Sequence, residues 1–363
     1  MNERGDSLVV GGGSGHYPSY AGIVGRGFAD GCVMGDVFTS PSTEQIYRIS
    51  KAANGGAGVL LSFGNYAGDR LNFAAAQERL IAEGIDTKIV YVTDDIASAK
   101  PDEKDLRRGI AGTFAVYKCG GAAADAGKSL EEVARIMQLA NDRTYSFGVA
   151  FEGCTFPGQK EPLFHVEPGR MEFGLGIHGE PGVKSTDWMP AKDLAKNLVD
   201  AILAERPADN SKRAAVILNG LGATKYEELF LLYSHVSVLL EAAGITVVLP
   251  EIGELVTSLD MAGCSLSVMW LDPILEELWS SPADTASFRR GNVAPSKAPH
   301  KRIEATVGTA STEPILASEH SHRAAVVARE ALIAMEQVLV TNEDHLGKLD
   351  AIAGDGDHGV GMV

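Results

Sequence analysis

The sequence predicts an α/β protein. Two observations carry that reading: short apolar runs flanked by glycine alternate with segments of helical periodicity, and glycine-rich turns recur where the strands end. Ser7-Leu8-Val9-Val10 reads as a strand entering the loop Gly11-Gly12-Gly13-Ser14-Gly15-His16. Residues 58–63 form a second, buried strand, followed by a helix over 73–83 and a strand over 87–92. Helices over 106–126 and 130–140 precede a strand over 146–151, a helix over 192–204 and a strand over 213–218. A helix over 226–243 leads to strands over 246–249 and 265–270. Residues 1–145 and 146–280 are expected to form two lobes. The stretch 281–315, rich in Ser, Pro, Ala and Thr and without apolar periodicity, reads as a linker. Beyond it, in the segment 316–363, residues 324–339 carry a strong helical pattern.

The bulk properties narrow the partners. An apolar content of 45% and a charged content of 22% are those of a globular protein. A formal net charge of −16 argues against nucleic acid or an anionic membrane surface, since either needs a basic patch to displace counterions. Cys32, Cys119, Cys154 and Cys264 lie far apart without a CxxC pair, which disfavours zinc and a disulfide framework. With no secretory segment and no apolar stretch of about 18 residues, a cytoplasmic protein is expected.

Chemistry gathers in four places. Gly174-Leu175-Gly176-Ile177-His178-Gly179, running into Glu180-Pro181-Gly182, sets one histidine among glycines that allow close approach and positive φ. A neutral imidazole nitrogen there can add to an electrophilic carbonyl and give a hemiaminal. The loop Gly11 to His16 reads as a ligand loop, although His16 breaks the dinucleotide pattern. Phe63-Gly64-Asn65-Tyr66-Ala67-Gly68-Asp69 lies at a strand's C-terminal end, where open α/β sheets bind ligands. Asp69 can serve there as a general base or cap the next helix; for Asp94-Asp95 the capping role is favoured. Finally, Asp350, Asp355 and Asp357 cluster near the C-terminus. They do not fit an EF-hand, because Val360 stands where its glycine belongs, but such a set can hold Mg²⁺ when nucleotide phosphates complete the shell. Gly127-Lys128-Ser129 mimics a P-loop, yet it follows an Ala-rich helix and reads as a helix end and a new N-cap.

These residues resemble the dihydroxyacetone kinases. The resemblance rests on Gly13 to His16 with Pro18, Phe38-Thr39-Ser40-Pro41, Asn65-Tyr66 with Gly68-Asp69, Arg107-Arg108-Gly109, Gly153-Cys154-Thr155, Met171 to Gly182, Asn219 to Thr224 and Thr257 to Met261, in the right order over residues 7–280. It implies a two-lobed substrate domain with mixed sheets, followed by a linker and the first helix of a truncated all-α nucleotide domain. It implies that His178 forms the hemiaminal with the ketone, His16 hydrogen-bonds the substrate and Asp69 acts on the phosphorylated hydroxyl. Gly13, Ser14, Gly64 and Asn65 would line the substrate site. Asp350, Asp355 and Asp357 would bind Mg²⁺ for ATP. A homodimer is expected.

Two departures stand out. The dihydroxyacetone enzymes carry Lys where Gly64 stands and commonly Glu where Tyr17 stands. Loss of the long cation is expected to open space for a larger ketose such as erythrulose. The resemblance leaves two alternatives: a ketose-binding subunit or co-regulator without kinase activity, and an FAD-AMP lyase side activity. Because most of the family's nucleotide domain is missing from the sequence, this chain alone is expected not to turn over ATP.

Overall fold

The computed structural model describes residues 6–209, 211–293 and 317–350, which divide into two compact units, 6–293 and 317–350. In the first unit, β1 (Asp6–Ser14), β2 (Gly25–Arg26), β3 (Gly31–Val37), α1 (Thr43–Ala53), β4 (Gly58–Gly64), α2 (Ala67–Ala82) and β5 (Thr87–Val92) come first. Then follow α3 (Thr113–Asp125), α4 (Leu130–Asp142), β6 (Thr144–Ala150), β7 (Arg170–Phe173), β8 (Lys184–Asp187), α5 (Ala191–Ala204), β9 (Arg213–Gly220) and α6 (Tyr226–Ala242). The unit ends with β10 (Thr246–Val247), β11 (Glu251–Gly253), β12 (Gly263–Trp270), α7 (Pro273–Ser280), β13 (Ala283–Thr285) and β14 (Arg289–Arg290). The described part of the second unit is the single helix α8 (Glu319–Asp350). Among the described residues no helix is long and apolar enough to cross a membrane.

The α/β class follows from the two larger of three sheets among the described residues, the smallest being β14-β13-β2. The first is wholly parallel, in the order β3-β1-β4-β5. Its strands are buried on both faces: Val9, Val59, Leu61 and Phe63 pack with Phe73 and Ile46 on one side, and Leu8, Val10, Leu60 and Val92 pack with α3 and α4 on the other. That two-sided burial explains the near-continuous apolar reading of β4. The second sheet is mixed, in the order β10-β9-β12-β6-β7-β8, with β11 beside β9. Helices α5 and α6 cover it through Leu194, Leu198, Leu229 and Val236. A lone parallel bridge between Asp95 and Ser146 joins the region after β5 to the second sheet.

Several boundaries differ from the sequence reading, each for a physical reason. Strand β1 runs through the glycine triplet to Ser14, because the missing Cβ atoms allow tight approach. A Cβ on Gly11 would lie 2.5 Å from the Val33 oxygen. Helix α2 starts at Ala67, six residues earlier than expected, which puts Asp69 in its first turn rather than in a loop. Helix α3 starts only at Thr113. The preceding 107–112 is irregular because Asp94 takes the amides of Ile110 and Gly112 at 2.8 and 2.7 Å. Asp94 therefore anchors a distant loop instead of capping the next helix. Its burial raises the carboxyl pKa to about 6 in spite of those bonds. Strands β13 and β14 fall inside the expected linker, yet β13 pairs with β2. Gly25 and Gly27 permit that contact, since Cβ atoms there would meet the Asp284 and Pro282 oxygens at 2.4 and 2.3 Å. Elements β3, α1, β7, β8 and α7 gave no sequence signal. At the P-loop mimic, Gly127 takes φ +74° and Ser129 caps α4 by accepting the Glu132 amide, as expected.

Helix α3 packs against backbone at Gly121, where an added Cβ would meet the Phe28 oxygen at 2.2 Å and its Cα at 2.4 Å. Gly121→Ala should therefore lower the urea unfolding midpoint, by the equivalent of about 1–3 kcal/mol of overpacking. Gly84→Ala makes the contrasting control for space, because nothing lies within 4 Å of a Cβ there, although its φ of +80° also disfavours alanine.

Candidate functional site

The site forms where the C-terminal ends of β1 and β4 meet the loops 174–182 and 255–259, the usual place for ligands in open α/β folds. Beneath it, Phe38, Ile110, Cys154, Ile177, Leu221 and Met261 form a small apolar cluster contributed by both sheets.

Two histidines face each other. His16 Nε2 lies 3.1 Å from His178 Nε2. His16 Nδ1 lies 2.7 Å from the Thr257 carbonyl, which can only accept. That fixes the His16 proton on Nδ1 and leaves Nε2 as a lone pair aimed at His178; the assignment comes from the hydrogen-bond network. Burial first, and then the His178 charge, push the His16 pKa down to about 3, so His16 stays neutral.

The position of the Thr257 carbonyl is itself built. Asn219, inside β9, donates to the Val256 carbonyl at 2.7 Å and accepts the Leu255 and Val256 amides at 2.9 Å each. The Thr257 hydroxyl donates to the Tyr17 carbonyl at 2.8 Å. The 255–257 loop is thus clamped from both sides.

His178 is held through its other nitrogen. His178 Nδ1 lies 3.2 Å from Glu180 Oε1, and the His178 amide donates to Glu180 Oε2 at 3.0 Å. Glu180 is 7% exposed. Burial pushes its carboxyl pKa upward, but the His178 charge, the hydrogen bond from His178 and the Arg108 charge together bring it down to about 2. Arg108 Nη1 stands 3.8 Å from Glu180 Oε2, while Arg108 Nη2 and Nε bind Asp95 Oδ2 at 2.8 and 3.1 Å. Sequence reasoning gave Glu180, Arg108 and Asp95 no catalytic part. The signal available was the unbroken His178-Gly179-Glu180 spacing.

Rings enclose the pair. Phe38 stacks on His16 at 5.0 Å and 10°, and it meets His178 edge-on at 5.0 Å. Tyr66 meets His178 edge-on at 4.7 Å. Gly13 leaves room for this arrangement: a Cβ would lie 2.7 Å from the Phe38 carbonyl carbon and the Thr39 nitrogen.

The other expected residues fall as follows. Ser14 donates its hydroxyl to the Gly35 carbonyl at 2.6 Å. Asn65 donates to the Asp105 and Arg107 carbonyls at 3.1 and 2.8 Å, which ties β4 to the 107–112 loop. Asp69, 7% exposed at the third position of α2, adds its charge to the effects that raise the Tyr20 and Tyr117 hydroxyl pKa values, where burial comes first. Gly64 does not open a void. A Cβ there would meet the Gly109 oxygen at 3.0 Å and the Tyr66 ring at 3.1 Å, so the Tyr66 ring fills the space where the expectation of a larger pocket placed room. Asp350 is the last residue of α8, and Asp355 and Asp357 lie outside the described residues. Among the described residues there is no group of three or more His, Cys, Asp or Glu side chains able to hold a metal ion.

A family model described as the Dak1 domain matches residues 2–287. The chain belongs to the Dak1 domain family. It is 52% identical over 360 residues to the D-erythrulose kinase of Mycolicibacterium smegmatis, covering 98% of this chain and 62% of that protein. It is 50% identical over 365 residues to the L-erythrulose kinase of Pectobacterium atrosepticum, covering 99% of this chain and 61% of that protein. The chain thus spans about three-fifths of the length of these relatives. The crystal structure of the dihydroxyacetone kinase from C. freundii in complex with AMP-PNP and Mg²⁺ superimposes with a TM-score of 0.73 at 34% identity, covering 100% of this chain and 65% of that one. That likeness extends the Dak1 assignment to the α/β fold.

The depressed His16 and Glu180 pKa values give the site an acid limit. In the unfolded chain His16 binds a proton below about 6.5, whereas folded His16 refuses it down to about 3. Stability from this residue is complete above pH 6.5 and is lost as pH falls towards 3. Glu180 adds a loss between about 4.5 and 2. His16→Gln should flatten the fall in urea-unfolding free energy between pH 6 and 4 by about 1.4 kcal/mol per pH unit, the value for one proton. An unchanged slope would show that His16 is protonated in the folded site.

Proposed function

We propose that this chain is the ketose-binding part of an ATP-dependent kinase that phosphorylates a primary hydroxyl of a short ketose, held as a hemiaminal on His178. The observation that carries the reading is the histidine pair: His16 is locked as a neutral acceptor, and His178 presents Nε2 towards it inside a cage of rings. A ketone carbonyl entering between the rings meets a nucleophilic nitrogen on one side and a proton relay on the other. A polyol has no such carbonyl, so selection is chemical as well as steric.

In the remaining steps Asp69, at the positive end of α2, accepts the proton of the hydroxyl to be phosphorylated. ATP with Mg²⁺ is the proposed donor, with Asp350, Asp355 and Asp357 as the proposed Mg²⁺ ligands, and it supplies charge neutralisation at the transferring phosphoryl group. The two relatives named as erythrulose kinases support a four-carbon ketose. Since Tyr66 fills the space beside Gly64, the preference is assigned to the shape of the Tyr66 ring wall rather than to a void.

Two outcomes test this. Incubation with erythrulose should add the mass of one ketose to the wild-type chain in native mass spectrometry, and the carbonyl ¹³C signal of the labelled ketose should move from the sp² to the sp³ range. His178→Ala should add nothing while keeping its circular dichroism; an adduct in that variant would place the covalent bond elsewhere.

The second outcome concerns the ketose itself. Competition trapping should favour erythrulose over dihydroxyacetone by about tenfold to a hundredfold, the roughly 1–3 kcal/mol of one well-placed group. Gly64→Lys, whose Cβ would start 3.1 Å from the Tyr66 ring, should weaken capture of both ketoses. A clean switch of preference to the triose in that variant would restore the void explanation.

A further inference from the structure

A nucleophilic histidine needs one nitrogen bare and the other held, and the ring alone does not choose which. Glu180 Oε1 lies against His178 Nδ1, and the same carboxylate accepts the His178 amide two residues back in the chain. The same carboxylate thus grips ring and backbone together, and this fixes the χ angles of His178 as well as its tautomer. Gly176 makes the grip possible. A Cβ there would lie 2.0 Å from Glu180 Oε2 and 2.6 Å from Arg108 Nη1. Behind Glu180 stands Arg108, and behind Arg108 the buried carboxylate of Asp95, which also accepts the Ala97 amide at 3.0 Å. Arg108 further donates to the Gly174 carbonyl at 3.2 Å, tying the row to the start of the histidine loop.

We propose that Glu180, braced by Arg108 and Asp95, is the positioning residue that holds the His178 proton on Nδ1 and keeps Nε2 turned towards the ketone. The proposal rests on the hemiaminal reading given above, and it assigns to that reaction a residue outside the histidine pair.

The proton balance closes without an outside acid or base. The Glu180 carboxylate and the His16 lone pair both accept, so the two contacts are satisfied together when His178 carries a proton on each nitrogen. The Nε2 proton moves to His16, and the bare His178 Nε2 adds to the carbonyl carbon. The π pair of the C=O bond moves to oxygen, and His16 returns the proton to that oxygen. The substituted imidazole keeps its Nδ1 proton and its positive charge, so Glu180 faces a cation before and after the step. No net proton enters or leaves.

The test uses the full 363-residue chain with ¹⁵N-labelled histidine, in wild type, Glu180→Gln and Glu180→Asp. Two-bond ¹H–¹⁵N spectra read the protonation of the His178 ring, and the sp²-to-sp³ change of the carbonyl ¹³C signal of labelled erythrulose reads trapping. In wild type, Nδ1 of His178 should be protonated. In Glu180→Gln the Nδ1-protonated population should fall and trapping should slow by about tenfold to a hundredfold, as expected for a misoriented reacting group. The His16 ring signals and the circular dichroism should be unchanged. Glu180→Asp, which keeps the charge on a shorter stem, should recover part of both signals. Wild-type ring signals in Glu180→Gln would overturn the proposal, whether or not trapping falls. Failure of the wild-type chain to trap any ketose would remove the hemiaminal reading instead, and the ring spectra would still decide the role of Glu180.

Discussion

One backbone carbonyl, that of Thr257, sets the chemistry of the site. Because a carbonyl only accepts, its 2.7 Å contact obliges His16 to carry its proton on Nδ1. Burial then leaves His16 neutral at rest, so that any second proton it takes is held only in passing. From these two facts the His16 lone pair must face His178, and His178 must supply the proton between them. If the loop were displaced by an ångström, His16 would be free to choose its tautomer. The Asn219 clamp on residues 255–256 is therefore a matter of reactivity as much as of stability, and it explains why a buried polar side chain interrupts the apolar run of β9.

The aromatic cage depends on a backbone in an unfavourable region. Phe38 has φ +57°, a conformation that costs a bulky residue of order 1–3 kcal/mol. The glycines around it absorb the turn: a Cβ on Gly35 would strike the Thr39 oxygen at 2.0 Å, and one on Gly15, itself at φ +104°, would lie 2.9 Å from the Phe38 ring. The strain is tied to one result, a ring stacked flat on His16. The stacked face excludes water from a histidine that must remain neutral.

The motifs were legible in the sequence where glycine had to be glycine. The His178 loop, the first glycine run and the end of β4 all stood out, and the structure gathers His16, His178 and Tyr66 from them into one site. The reasons were less legible. The glycine triplet looked like a ligand loop but is strand, because its freedom serves contact with β3 and the Phe38 turn. Elements β3 and α1 were invisible since Gly31-Cys32-Val33-Met34-Gly35 lacks a period and α1 is mostly polar, held at its start by the Ser42–Gln45 capping box. Arg108 and Asp95 could not be assigned together from sequence, as their meeting depends on the Asp94 anchor that bends 107–112 back under the site.

The same anchor bears on the wall of the proposed ketose site. Gly64 faces the Gly109 backbone, and Asn65 binds the Arg107 carbonyl, so the end of β4 and the 107–112 loop form one wall. Tyr66 leaves that wall and covers His178, and its buried hydroxyl has no hydrogen-bond partner among the described residues. A side chain at position 64 would start tight against this ring, its Cβ 3.1 Å from a ring carbon and 3.0 Å from the Gly109 oxygen. Exchanging glycine for a larger residue there therefore shifts the neighbouring aromatic wall. On the proposed ketose reading, discrimination between ketoses differing by one CHOH group would turn on whether the extra carbon lies along the ring face, where apolar contact and exclusion of water act together. Residues 64–66 would then set specificity while tying β4 to the loop that carries Arg108, so proposed binding and proposed positioning share one piece of backbone.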